Sequence, residues 1–223
     1  YPLESTNVIT NVASVTESWT VDSSFPNYQS FFKEVNGVYF LGGGAISLFS
    51  STDATTWTSV GLLNIQYDVV YTGTHYVAAG LGPGIGGNFN VSPDLVNWTP
   101  YTTPVRVNGL AYGLSLVVLA TGGISTTSDL GATITNRVTS AVTGTTAGAE
   151  FGNGVFLVTA ANGIFRSTDG LTWVNVNSSH TGATGTPSGI VHVGGNTWLA
   201  STQSMWTAKS VDGGVTWTAW TDS

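Results

Sequence analysis

A short motif that recurs about every forty residues constrains this fold more than any other feature of the sequence. The clearest copy reads SVDGGVTW and runs from Ser210 to Trp217. Related copies are STDATTW at 51–57, SPDLVNW at 92–98, TSDLGATI at 127–134 and STDGLTW at 167–173. Their aspartates are separated by 41, 35, 40 and 43 residues. A period in this range is typical of repeat architectures, so we expect an array of similar units.

A second pattern lies in phase with the motif, about twenty residues before each aspartate. Two short hydrophobic segments flank a tight turn there, as in FFKEVNGVYFLGG at 31–43 and GAEFGNGVFLVTA at 148–160. Alternating β-branched and aromatic residues around Gly or Asn predict a β-hairpin. Each unit therefore has four short strands: two in this hairpin, one before the Asp turn and one after it. No segment shows sustained helical periodicity.

The motif residues suit a tight turn that leads into a strand. Short Asp and Ser side chains hydrogen-bond to nearby backbone groups, and Gly adopts positive φ without steric cost. Trp then covers a large apolar area against a neighbouring sheet. Because the aspartate recurs in every unit, a ring would scatter the copies around its rim. We therefore predict a structural role for the motif residues, namely Asp53, Asp94, Asp129, Asp169, Asp212, Trp57, Trp98, Trp173 and Trp217.

Units of this size cannot bury both faces of their own sheets, so copies must pack against each other. Four-stranded units that close radially form a propeller. We predict one all-β domain over 1–223, a five-bladed β-propeller of four-stranded antiparallel blades. The expected units are 22–60, 61–102, 103–139, 140–177 and 178–223. An extra N-terminal strand at 15–21 is expected to lie on the last blade and latch the ring; alternatively, a preceding blade belonged to a longer chain.

The pattern Ser/Thr-x-Asp-x-Gly-x-Thr-Trp resembles the Asp-box, or BNR, repeat of sialidases and of many non-enzymatic propellers. Residues 210–217 match it fully, and 127–134 differ at the last aromatic position. The other three copies are one residue shorter. The resemblance implies a propeller in which this turn joins the outer two strands of each blade, away from the functional face.

The resemblance to sialidases also raises the possibility of a glycosidase, which needs acidic groups outside the repeated turns. Aligning the hairpins places Glu34, Glu150 and His192 at one equivalent strand position that could face a central channel, together with Val70 and Ala111. Two carboxylates and an imidazole there would form a general acid/base set. The alternative is a channel lined by water-satisfied polar groups. The sequence lacks the Phe/Tyr-Arg-Ile-Pro motif of sialidases, so catalysis is disfavoured and the three residues are weak candidates.

Charge disfavours several classes of partner. The chain has 5 basic and 12 acidic residues and no basic cluster, which argues against nucleic acid and anionic membranes. It also argues against a photosystem II assembly factor of the Asp-box type, which uses a basic patch. No apolar run reaches the ~18 residues of a membrane span. Cys is absent and the three His residues lie in different units, so neither a metal nor a cofactor is expected.

The favoured function is a non-catalytic, lectin-like recognition module that binds a glycan or a cell-surface receptor. Aromatic side chains in loops suit stacking on sugars, and the candidates are Tyr28, Phe31, Tyr101, Trp206 and Trp220. The alternatives are a glycoside hydrolase of sialidase-like type and a purely structural virion or scaffold domain. A hydroxyl-rich surface with few lysines predicts an extracellular or virion-exposed location, as in adhesins and phage tail fibres.

Overall fold

The computed structural model of the chain describes residues 31–42, 48–62, 64–82, 86–138, 146–177, 187–202, 204–219 and 221–222. Within these ranges the regular elements are twenty β-strands, which form five antiparallel sheets of four strands each. The predicted five-bladed β-propeller is confirmed, and we number the sheets as blades 1 to 5 in chain order. The latch predicted at 15–21 lies outside the described residues. No described helix is long and apolar enough to cross a bilayer.

Each blade is a meander whose strands follow one another in chain order. Blade 1 contains β1 (Phe31–Val35), β2 (Val38–Gly42), β3 (Phe49–Ser51) and β4 (Thr58–Ser59). Blade 2 contains β5 (Gln66–Tyr71), β6 (Tyr76–Leu81), β7 (Gly87–Ser92) and β8 (Thr99–Thr103). Blade 3 contains β9 (Gly109–Gly113), β10 (Leu116–Ala120), β11 (Ile124–Thr127) and β12 (Thr135–Val138). Blade 4 contains β13 (Thr146–Gly152), β14 (Val155–Ala160), β15 (Gly163–Ser167) and β16 (Val174–Asn175). Blade 5 contains β17 (Pro187–Gly194), β18 (Thr197–Thr202), β19 (Trp206–Ser210) and β20 (Thr221–Asp222).

The blades pack face to face through their inner strands. Successive side chains of a strand point to opposite faces, so Tyr76 of β6 packs towards blade 1 and Val77 packs towards blade 3. Four buried clusters fill the spaces between consecutive blades from 1 to 5. Each large apolar side chain buried there stabilises the fold by about 1.5–3 kcal/mol. First strands of consecutive blades contact each other from β1 through β17 and form the inner wall of the ring.

The Asp motif joins the third and fourth strands of every blade. In blade 4, Oδ1 of Asp169 accepts hydrogen bonds from Oγ of Ser167 at 2.9 Å and from the amides of Leu171 and Thr172 at 2.8 and 2.7 Å. Nε1 of Trp173 donates to a carbonyl inside the turn at 3.1 Å. The residue after the aspartate has positive φ in all five turns, which explains why glycine stands there in two copies.

Acid is expected to weaken these turns. Hydrogen bonds from backbone amides and hydroxyls hold the pKa of the turn aspartates below the ordinary 3.8, and the Thr172 amide contributes most to lowering the pKa of Asp169 to about 2. Because the folded pKa lies below the unfolded one, this stabilisation is complete above the unfolded value and disappears as pH falls through the folded value. Denaturant unfolding between about pH 7 and pH 2 should show a decline beginning near pH 4. Asp169→Asn should make that decline shallower, and an unchanged slope would contradict the assignment.

Candidate functional site: the central cavity

The first strands of the five blades surround a cavity of about 500 Å³ on the axis of the ring. Every blade contributes to its wall, for example through Phe31, Tyr67, Asn108, Glu150 and Ser188. Aromatic rings, amides, hydroxyls and charged groups are therefore brought together from distant parts of the sequence. A concave site with a few convergent polar groups is the usual form of a small-ligand site in a protein.

One carboxylate in this cavity connects three consecutive blades. Nζ of Lys33 in blade 1 donates to Oδ1 of Asp68 in blade 2 at 2.7 Å. Oδ2 of the same carboxylate accepts from the amide of Leu110 in blade 3 at 2.7 Å. Oδ1 also accepts from the amide of Val69 at 2.8 Å. Asp68 is therefore held by three donors and works as an inter-blade clamp.

Burial and neighbouring charges shift the pKa values of two ionisable groups of the inner wall, Lys33 and Glu150. Burial favours the neutral amine of Lys33, but the charge and hydrogen bond of Asp68, with a contribution from Glu150, outweigh it and raise the pKa of Lys33 above 10.5. Lys33 therefore remains an ammonium at neutral pH. Burial raises the pKa of Glu150 above 4.5 and the charge of Asp68 adds to the rise, whereas Lys33 and His192 oppose it.

Lys33 and Glu150 also line a second cavity of about 190 Å³. Its wall is more aromatic, with Tyr71, Tyr112 and Phe151 near the turns that end the first strands. Because the same two charged side chains border both spaces, they stand where the wide polar cavity meets the narrow one.

The strand register corrects the hairpin alignment made from sequence. In each blade the Ser or Thr that opens the Asp turn pairs with a residue of the second strand, and that residue pairs with one of the first strand. The first-strand residues on this level are Glu34, Tyr71, Tyr112, Phe151 and His192. The preceding level contains Lys33, Val70, Ala111, Glu150 and Val191. The sequence alignment therefore combined residues from two levels, and Lys33 rather than Glu34 is the blade 1 equivalent of Glu150. The bulge at the end of β17 accounts for the shift at His192. The hairpins of blades 1 and 4 have the same two-residue turn, so the shift at Glu34 comes from the sequence alignment itself.

Glu34 and His192 make local contacts. Glu34 is exposed and accepts a hydrogen bond from the amide of Gly37 in its own hairpin turn. Nε2 of His192 hydrogen-bonds to the carbonyl oxygen of Gly195 at 2.9 Å, and its ring packs against Trp198 at a centroid distance of 4.6 Å. The His192 ring also occupies the space beside Gly152, where an added Cβ would lie 2.2 Å from its Cγ. Glu34 nevertheless lines the narrow cavity together with Glu150, and the charge of His192 acts on Glu150. The three residues stand on two levels of the inner wall, and the acid/base set stays a prediction.

The candidate aromatic residues lie in different surroundings. Phe31 lines the central cavity. Tyr101 packs edge-on against Phe89, with centroids 6.3 Å apart, between blades 2 and 3, and Trp206 packs against the core between blades 4 and 5. Tyr28 and Trp220 lie outside the described residues. None of the five turn aspartates lines either central cavity as far as the structure describes the chain.

Several cavity residues were missed by sequence reasoning. Asp68 follows a β-bulge between Gln66 and Asp68, which changes the face to which later side chains point, and no spacing rule anticipates it. Arg106 is exposed, lines the wide cavity and has no hydrogen-bond partner among the described residues. The other two arginines are engaged, since Arg137 donates to Thr126 and Arg166 to the next blade. No three His, Asp or Glu side chains in the described residues form a metal-binding group.

Fold and cavity together define a five-bladed β-propeller with a charged central cavity. No protein-family model matches this sequence, and no curated protein sequence matches it. The fold is similar to that of an ancestral GH74 enzyme, with a TM-score of 0.66 and 13% identity over 83% of this chain and 29% of that one. It is also similar to an extracellular domain from B. thetaiotaomicron, with a TM-score of 0.63 and 13% identity over 87% and 28% of the chains.

A third similar structure is YCF48 bound to a D1 peptide, with a TM-score of 0.58 and 14% identity over 82% of this chain and 63% of that one. This chain thus spans less than two thirds of each of the three structures. Identities this low show a shared fold alone.

Proposed function

We propose that this propeller is a non-catalytic recognition module that binds a carbohydrate or a cell-surface partner at the mouth of its central cavity. The observation that carries the proposal is a single concave surface to which all five blades contribute polar groups and blades 1 and 2 contribute aromatic rings. An extracellular or virion surface is the corresponding location. The similar structures include a GH74 enzyme and a propeller with bound peptide, which supports a ligand-binding use of this scaffold.

The chemistry of the rim suits a sugar. The rings of Phe31 and Tyr67 offer faces for stacking, and the guanidinium of Arg106 offers free donors to hydroxyl or carboxylate oxygens. Asp68 already accepts from three donors, so it is expected to shape the site rather than bind the ligand. Glu150 offers a carboxyl group that borders both cavities.

Arg106→Ala is the sharpest test of this proposal. A glycan array should first identify a ligand of the wild type, and titration should then show about tenfold weaker binding for the variant, as expected for one lost charge-assisted contact. Arg137→Ala removes the same charge from the outer strand of blade 3 and should leave the affinity unchanged. Equal affinities for both variants would place the ligand elsewhere.

One observation favours a second candidate, a glycoside hydrolase. Burial raises the pKa of Glu150 inside a cavity, as is typical of a general acid, and Asp68 is the nearby carboxylate that interacts with it. Turnover of an array ligand that Glu150→Gln abolishes and Glu34→Gln preserves would establish the enzyme. Binding without turnover would support the recognition module. Neither binding nor turnover would favour a structural virion or scaffold domain.

A further inference from the structure

The seam between blade 5 and blade 1 differs from the other four. Five equivalent residues of the second strands point to the following blade: Phe40, Val77, Val118, Leu157 and Leu199. The first four are 0% exposed, whereas Leu199 is 40% exposed. Val191, its cross-strand partner, is also exposed. Blade 5 therefore presents an apolar face that the described residues leave uncovered.

The opposite side of the seam shows the same difference. Phe32 lies on the face of β1 that points away from the core shared with blade 2, and it is 59% exposed. Its equivalents Val69, Leu110 and Ala149 are buried against the preceding blade. The Phe32 ring contacts Tyr39 and Trp57 of its own blade. Partly exposed apolar side chains therefore stand on both walls of this seam.

Two equivalent basic side chains of the third strands, Arg166 and Lys209, also differ between the two seams. Arg166 lies opposite Leu157 in blade 4, and its Nε donates to the carbonyl of Gly213 in blade 5 at 2.9 Å. Lys209 occupies the equivalent position opposite Leu199, yet its ammonium has no partner among the described residues. The uncovered face thus combines apolar side chains with an unpaired cation, and its occupant should be apolar and acidic.

We propose that the N-terminal segment, residues 1–30, covers this seam, with Trp19 against Leu199 and Glu17 towards Lys209. The segment ends where β1 begins, and the second residue of β1, Phe32, already stands on the seam. Its charged residues are all acidic, namely Glu4, Glu17 and Asp22, which complements Lys209. Within it SWTV, at 18–21, alternates polar and apolar residues, which is typical of a half-buried strand.

A single thiol can test this arrangement, because the chain has no cysteine. Leu199→Cys in the full chain should react slowly with a maleimide, and adding Trp19→Ala should raise the labelling rate at least ~10-fold by freeing the seam. Val96→Cys, at a residue that is 76% exposed, should react rapidly with and without Trp19→Ala. Circular dichroism should show that both backgrounds remain folded.

A charge reversal at Glu17 tests the same proposal without removing Trp19. Glu17→Lys should also accelerate labelling of the Leu199→Cys variant, because it sets a like charge near Lys209. Glu4→Lys makes the same change in net charge and should have little effect. Unchanged rates in both the Trp19→Ala and Glu17→Lys backgrounds would overturn the proposal. Protection that disappears on dilution would also overturn it, since it would assign the seam to a second copy of the chain.

Discussion

Asp68→Asn is expected to lower the free energy of unfolding by about 2–3 kcal/mol. The carboxylate accepts hydrogen bonds from Lys33 and from the amides of Val69 and Leu110, so an amide nitrogen in its place would face a donor. The ammonium of Lys33 would also lose its counter-ion. We place the cost below that of a fully buried pair, because the side chains of Lys33 and Asp68 are 30% and 13% exposed and solvent screens their charges.

Denaturant unfolding of matched variants checks this clamp. Glu34→Gln removes an exposed carboxylate next to Lys33 and should change stability by less than about 0.5 kcal/mol. A double-mutant cycle of Asp68→Asn with Lys33→Met should return a coupling energy of about 1 kcal/mol or more. If Asp68→Asn costs no more than Glu34→Gln, the carboxylate does not hold the first three blades together.

Sequence reasoning predicts the architecture well because the fold repeats. The Asp turn and the hairpin recur together five times, which predicts four consecutive strands in each unit. The five sheets contain these strands in that chain order. Each turn is determined locally, since Asp169 bonds to groups within three residues of itself. Local interactions of this kind can be recognised from a few adjacent residues in a single sequence.

The cavity is harder to predict because it depends on register. Bulges interrupt the first strands of blades 2, 4 and 5, and each bulge changes which side chains point to the axis. Asp68 directly follows one of these bulges. Its ion pair with Lys33 joins residues 35 positions apart, and no spacing in the sequence indicates that they meet. Phe31 is proposed from the sequence as a loop aromatic, whereas it is the first residue of β1. Arg106 lies in a connection between blades, where no repeat pattern marks it.

Trp198→Ala is the core substitution expected to cost most, about 3–5 kcal/mol, because it empties a large site between blades 4 and 5. The side chain is fully buried among Val155, Leu157 and Ile164 of blade 4, and its ring packs at a tilt against His192 of its own blade. A loss of this size should lower the melting temperature by ~10 °C in a domain of this length. Thermal unfolding followed by circular dichroism measures it directly.

Trp198→Phe separates packing from hydrogen bonding at the same position. Nε1 of Trp198 is buried and has no hydrogen-bond partner among the described residues, so a phenyl ring gives up no bond. Because the phenyl ring is smaller, we expect the variant to lose about 1 kcal/mol of unfolding free energy. Removing one unpaired buried polar atom offsets part of that loss. A Phe variant as unstable as the Ala variant would mean that Nε1 has a partner. A Trp198→Ala variant as stable as wild type would mean that this packing does not hold blade 5 against blade 4.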